Sequence, residues 1–134
     1  MDLTSIFGVH VSTASVILRI ALGGLLMVHG YPKLGAGRKG AGQWLSSMGL
    51  PAGFAAFAGI VEFFGGLALL LGILTSIIAA LVALWMLSTT WLSVAKIKKK
   101  FVGGYELDIV LLLAALALAA IGGGAFSVDH LLSI

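Results

Sequence analysis

Cysteine is absent from the chain, which removes thiolate catalysis, disulfide exchange, iron–sulfur ligation and thiolate zinc sites. Charge is almost as scarce. Only 10% of the 134 residues are Asp, Glu, Lys or Arg, against about a quarter in an ordinary soluble domain. With 60% hydrophobic residues and a mean hydropathy of +1.17, a water-soluble globule is excluded. The length suits one domain or bundle, and not a membrane module joined to a soluble catalytic domain.

Other absences narrow the chemistry. The glycine pairs lie within apolar runs rather than at strand-to-helix turns, so there is no phosphate-binding loop, dinucleotide fingerprint or nucleophile elbow. Bis-histidine haem ligation needs two histidines at one depth, and only His29 falls where it would be required. His10, His130 and Asp129 lack a dense ligand spacing, so no metal site is expected. No Lys or Arg precedes Arg19, which argues against a cleavable signal and for retention of the first apolar run.

What is present is four near-continuous apolar stretches, at about 15–31, 52–74, 75–95 and 107–122. At roughly 1.5 Å rise per residue, each can cross, or nearly cross, a hydrocarbon core of about 30 Å. The expected fold is all-α, a polytopic four-transmembrane-helix bundle forming one domain over residues 1–134. The patch Gly72 to Ser76 separates the second and third spans, with Gly ending one helix and Thr or Ser starting the next. Gln43 to Met48, in the first loop, reads as a short interfacial helix or a segment that dips back into the protein. Residues 127–134 read as a short amphipathic turn or helix at the surface.

Seven of the eight cations fall in two loops, Lys33, Arg38 and Lys39 after the first span and Lys96, Lys98, Lys99 and Lys100 after the third. This bias accounts for the net charge of +3 better than nucleic-acid binding does. It predicts cytoplasmic basic loops and both termini outside. Tyr31, Trp44, Trp91 and Tyr105 form the matching aromatic belt.

Two polar groups stand inside the apolar runs. Arg19 and Glu62 are costly in lipid, so both are expected to face the bundle interior and, being at compatible depths, to pair. Such a pair either fixes helix register or frames a polar pocket in which Glu62 exchanges a proton and Arg19 holds an oxygen or anionic group. His29, Lys33, Glu106 and Asp108 form a second cluster about 15 Å away. In it His29 is a proton relay, a donor to a quinone-like carbonyl, or a boundary histidine bonded to Glu106, Asp108 or water. Trp85 and Met86, at mid-span, read as core packing, with Trp85 as the alternative platform for a planar ring.

The order and spacing of several short motifs resemble the DoxX family of small four-helix membrane proteins. They are Leu18-Arg19-Ile20 with Gly23-Gly24, His29-Gly30-Tyr31-Pro32-Lys33-Leu34, Gly49-Leu50-Pro51, Gly59-Ile60-Val61-Glu62-Phe63-Phe64-Gly65-Gly66, Leu71 to Thr75, Glu106, Gly122-Gly123-Gly124 and Ser127-Val128-Asp129. The resemblance implies a link to quinone-dependent or other membrane redox complexes. Its polar membrane positions correspond to Arg19, Lys33, Glu62 and Glu106. The reading is therefore a small subunit of a membrane redox complex in a prokaryotic plasma membrane, binding a quinone or similar lipid-soluble molecule. Membrane lipids and other membrane subunits, or further copies of the chain, are its expected partners. A non-catalytic accessory subunit and a small-solute carrier are the alternatives.

Overall fold

The computed structural model describes residues 11–134. Its helices are α1 (Val11–Leu34), α2 (Arg38–Ser47), α3 (Phe54–Leu71), α4 (Thr75–Ala95), α5 (Glu106–Ile121) and the single turn α6 (Val128–Leu131). An irregular turn at Phe101–Tyr105, with Gly103 at φ +73°, leads into α5. Four segments are long and apolar enough to span a bilayer, namely α1, α3, α4 and the stretch Phe101–Ile121. The protein is an integral membrane protein, and its fold is the expected all-helical bundle.

Helix α1 runs antiparallel to α3 at very close range. A Cβ added to Gly23 would lie 2.6 Å from the Gly66 carbonyl oxygen, and one added to Gly66 would lie 2.5 Å from that of Gly23. In lipid, helices associate through packing contact rather than escape from water, so residues without side chains are what allows two backbones to meet. One glycine from each doubled pair, Gly23 and Gly66, makes that contact. Helix α4 packs along α5 as a second antiparallel pair, while α3 and α4 meet far less closely.

One core draws on all four spans, through Leu22 and Leu26 of α1, Leu69 of α3, Val82 and Met86 of α4, and Ala115 and Leu118 of α5. The outward faces carry Ile17, Val28, Phe64, Leu84, Val110 and Leu113, as lipid contact requires. Four spans bring the start of α1 and the end of α5 together, where Ser15 Oγ donates to the Gly122 carbonyl at 2.6 Å. We call this the terminal end. The other is the basic end, because the seven loop cations gather there.

The α3–α4 turn forms differently from its expected chemistry. Gly72 ends α3 in the left-handed conformation, φ +73°, as a C-terminal glycine does. The residue before α4 is Leu74, also left-handed at φ +46° and lacking a capping side chain of its own. Neither Thr75 nor Ser76 caps the helix. The cap comes from Asp129, whose Oδ1 and Oδ2 accept from the backbone N–H groups of Leu74 (2.5 Å) and Thr75 (2.8 Å). Residues 127–134 thus dock into the terminal end rather than only lying at the surface, with Ser127 and Asp129 both buried.

Candidate functional site

The buried charges Arg19 and Glu62 are both inside the protein body, at 5% and 7% relative exposure, but they do not pair. Since Gly23 stacks on Gly66, Arg19 lies level with Leu70, whereas Glu62 lies against Gly30. Eleven residues of α1 separate the two levels, about 16 Å. Helical side chains tilt toward their own N-terminus. On antiparallel helices this carries Arg19 toward the terminal end and Glu62 toward the basic end, so the two diverge.

At the terminal end, Arg19 spends every nitrogen on carbonyl oxygens. Nε donates to Leu69 (2.9 Å), Nη2 to Leu70 (3.0 Å), and Nη1 to Gly123 (3.0 Å) and Phe126 (3.1 Å). The Leu69 and Leu70 carbonyls belong to the last turn of α3, that of Leu69 also accepting from the Gly72 N–H at 3.1 Å, and a cation there complements the helix dipole. Asp129 does the converse at the first turn of α4. Burial alone would raise its carboxyl, but the hydrogen bonds from Thr75 and Leu74 and the Arg19 charge outweigh burial and hold it below the ordinary carboxylate value. Arg19 and Asp129 therefore fasten the α3–α4 turn to the C-terminal segment, with four of the five guanidinium N–H donors engaged on carbonyls.

The same tilt that separates Arg19 from Glu62 brings Lys33 and Glu62 together. Lys33 points from the basic end toward mid-span and Glu62 from mid-span toward the basic end, and Lys33 Nζ donates to Glu62 Oε2 at 2.6 Å. The lysine side chain is 30% exposed and the carboxylate side chain 9%. Trp85 Nε1, on α4, donates to Glu62 Oε1 at 3.3 Å. The carboxylate is thereby held from two sides.

A cavity of about 390 Å³ opens beside this trio. Helices α3 and α4 supply its walls, through Phe54, Ala58, Trp85 and Trp91, and α2 closes it with Trp44 and Leu45. All three tryptophans of the chain line it. The short helix in the first loop is its lid, held by the buried Leu45. Sequence reasoning missed this role of Trp44 and Trp91, whose signal was indistinguishable from an interfacial belt. Phe57 meets Trp85 edge to face across the loosely packed α3–α4 boundary, at 5.7 Å between ring centroids.

The other members of the expected second cluster disperse. His29 is exposed, and its Nδ1 lies 2.8 Å from the carbonyl of Leu25 on its own helix; neither Glu106 nor Asp108 bonds to it among the described residues. Glu106 Oε1 accepts from the Gly103 N–H at 2.7 Å, closing the turn before α5. Asp108 Oδ2 accepts from Ser93 Oγ at 2.9 Å. A second cavity, of about 250 Å³, nevertheless has His29, Lys33, Glu62 and Asp108 on its walls. Met86 belongs to the core. His10 lies outside the described residues, and Asp129 is engaged with α4; no group of three metal-ligating side chains occurs among the described residues.

Comparison with known proteins agrees with the architecture. Residues 14–95 match the family model described as DoxX. The chain is 32% identical over 115 residues, 86% of its own length and 84% of the relative's, to a Bacillus subtilis (strain 168) protein named "Putative oxidoreductase CatD". No solved structure matches the chain.

Proposed function

Since the chain belongs to the DoxX family, we propose that it is a small subunit of a membrane redox complex and binds a quinone or similar lipid-soluble molecule between α3, α4 and the α2 lid. The observation that carries this reading is the pairing of an aromatic-walled cavity with one polar edge, made by Lys33, Glu62 and Trp85. About 390 Å³ falls within the range of small-molecule sites, roughly 300–1,000 Å³. The indole faces suit a planar ring. Lys33 uses one of its three N–H donors on Glu62 and has two left for a ring carbonyl, while Glu62 can accept from a ring hydroxyl.

A quinone carries two electrons and two protons between proteins. The residues here bind and orient the ring, exclude water from it, and hold a proton at Glu62. Electrons come from a partner protein, a noncovalent cofactor or the quinone itself. The name of the Bacillus subtilis relative supports an oxidoreductase setting. The positive-inside bias of the loops supports a plasma-membrane orientation with the cavity near the cytoplasmic leaflet.

Equilibrium binding of a short-tailed ubiquinone analogue to the protein in nanodiscs tests the reading. Glu62→Gln is expected to weaken binding by about tenfold, 1.4 kcal/mol, without dispersing the protein. Undiminished binding in that variant, or loss of assembly as its sole effect, contradicts the proposal.

A further inference from the structure

Two cavities meet at the Lys33–Glu62 pair, and the second carries more polar side chains than the first. Lys33 and Glu62 belong to both. The first is aromatic and closed by α2. The second runs between α1, α4 and α5 toward the loop before α5; among apolar side chains such as Leu25, Met86 and Leu111, it carries the polar groups of His29, Lys33, Glu62, Ser93, Lys99 and Asp108. Its size, about 250 Å³, holds several waters at roughly 30 Å³ each. A buried water needs two to four polar partners, and these six side chains supply them.

We propose that the second cavity is a water-filled vestibule through which Glu62 exchanges protons with the aqueous phase at the basic end. The proton's destination rests on the ligand reading above; the vestibule itself does not. The titratable groups that share this cavity with Glu62 are Lys33 and His29 from α1, Asp108 from α5 and Lys99 from the loop, while α4 contributes only the non-titrating Met86, Thr89, Leu92 and Ser93 to its wall, and Trp85 through its bond to Glu62. His29 donates from Nδ1 to a carbonyl, which leaves Nε2 to accept a proton from water. Asp108 uses Oδ2 on Ser93, and its Oδ1 has no hydrogen-bond partner among the described residues. Only protons move through the vestibule. A carboxylate oxygen of Glu62 takes one from the water chain and passes it to an oxygen of the quinone in the first cavity as that ring is reduced by electrons from a redox partner of the proposed complex, and Lys33 balances the carboxylate's charge between transfers.

The absence of cysteine makes the test direct. Ser93→Cys places a nearly isosteric thiol on the vestibule wall, and Leu111→Cys places a second one there should the first variant not assemble. An anionic, water-soluble methanethiosulfonate reagent is applied in nanodiscs, with exposed Ser47→Cys and core Ala79→Cys as references. Because thiol modification follows access, the vestibule thiol should react within about tenfold of Ser47→Cys and far faster than Ala79→Cys. Reaction as slow as at Ala79→Cys overturns the proposal.

An acid jump followed by tryptophan fluorescence then reads protonation at Glu62 through its bond to Trp85. His29→Gln combined with Asp108→Asn should slow that phase by about tenfold or more, and unchanged kinetics contradict the relay. Failure of quinone to bind would remove the proton's destination while leaving the labelling result intact.

Discussion

Lys33 and Glu62 meet at 2.6 Å because antiparallel helices tilt their side chains toward each other at this level, with Gly30 and Gly59 letting the backbones close in. The two partners are unequal. The lysine side chain is partly exposed, whereas the carboxylate is nearly enclosed.

That inequality predicts an asymmetric mutant series. Lys33→Met strands a buried carboxylate and should cost about 2 kcal/mol, less than the 3–5 of a fully buried pair because Lys33 is partly exposed. Glu62→Gln should cost less than 1 kcal/mol, since the freed lysine can snorkel. The double variant should recover most of the Lys33→Met loss. Thermal unfolding in detergent, read as a double-mutant cycle, checks all three.

Arg19 provides the matching separation. Arg19→Lys cannot reproduce the spread of four bonds to carbonyls on two segments and should destabilise the protein by about 2–3 kcal/mol. Its distance from the cavity means that quinone affinity stays within about twofold of the parent once the variant is folded. A tenfold loss of affinity in folded Arg19→Lys would restore the sequence-based pairing with Glu62.

The glycine seam makes a local prediction. Gly66→Ala forces a methyl onto the Gly23 carbonyl and should lower stability by about 1–3 kcal/mol. At Gly24 an added Cβ meets nothing within 4 Å, so Gly24→Ala should be neutral or slightly stabilising. Melting midpoints of the two variants decide it.

Asp129 ties stability to acid pH. Its folded carboxyl titrates below the unfolded value of about 3.9. The stabilisation is therefore complete above that value and is lost as pH falls through the folded pKa. Asp129→Asn should be less stable at neutral pH, and its melting curve should lose part of the parent's acid sensitivity. Equal acid slopes in the two proteins would show that the C-terminal clasp does not contribute.

Much of this was legible from residue types and spacing. The four spans and the end of α3 at Gly72 follow from hydropathy and from glycine's place at helix ends. Burial of Arg19 and Glu62 follows from the cost of charge in lipid. Their partners did not follow, because partner choice depends on helix register and on side-chain tilt in antiparallel pairs. Asp129 was hidden for another reason. It caps a helix 54 residues earlier in the chain, and capping signals are read locally.

Because Trp44, Trp85 and Trp91 all line the first cavity, with Trp44 also on the wall of the second, intrinsic tryptophan fluorescence responds to what fills that space. Titration of the nanodisc-embedded protein with a short-tailed quinone is the most direct test of the proposed site. The account predicts saturable quenching that weakens in Glu62→Gln and in Lys33→Met; linear, non-saturating quenching of equal slope in all three proteins would contradict it.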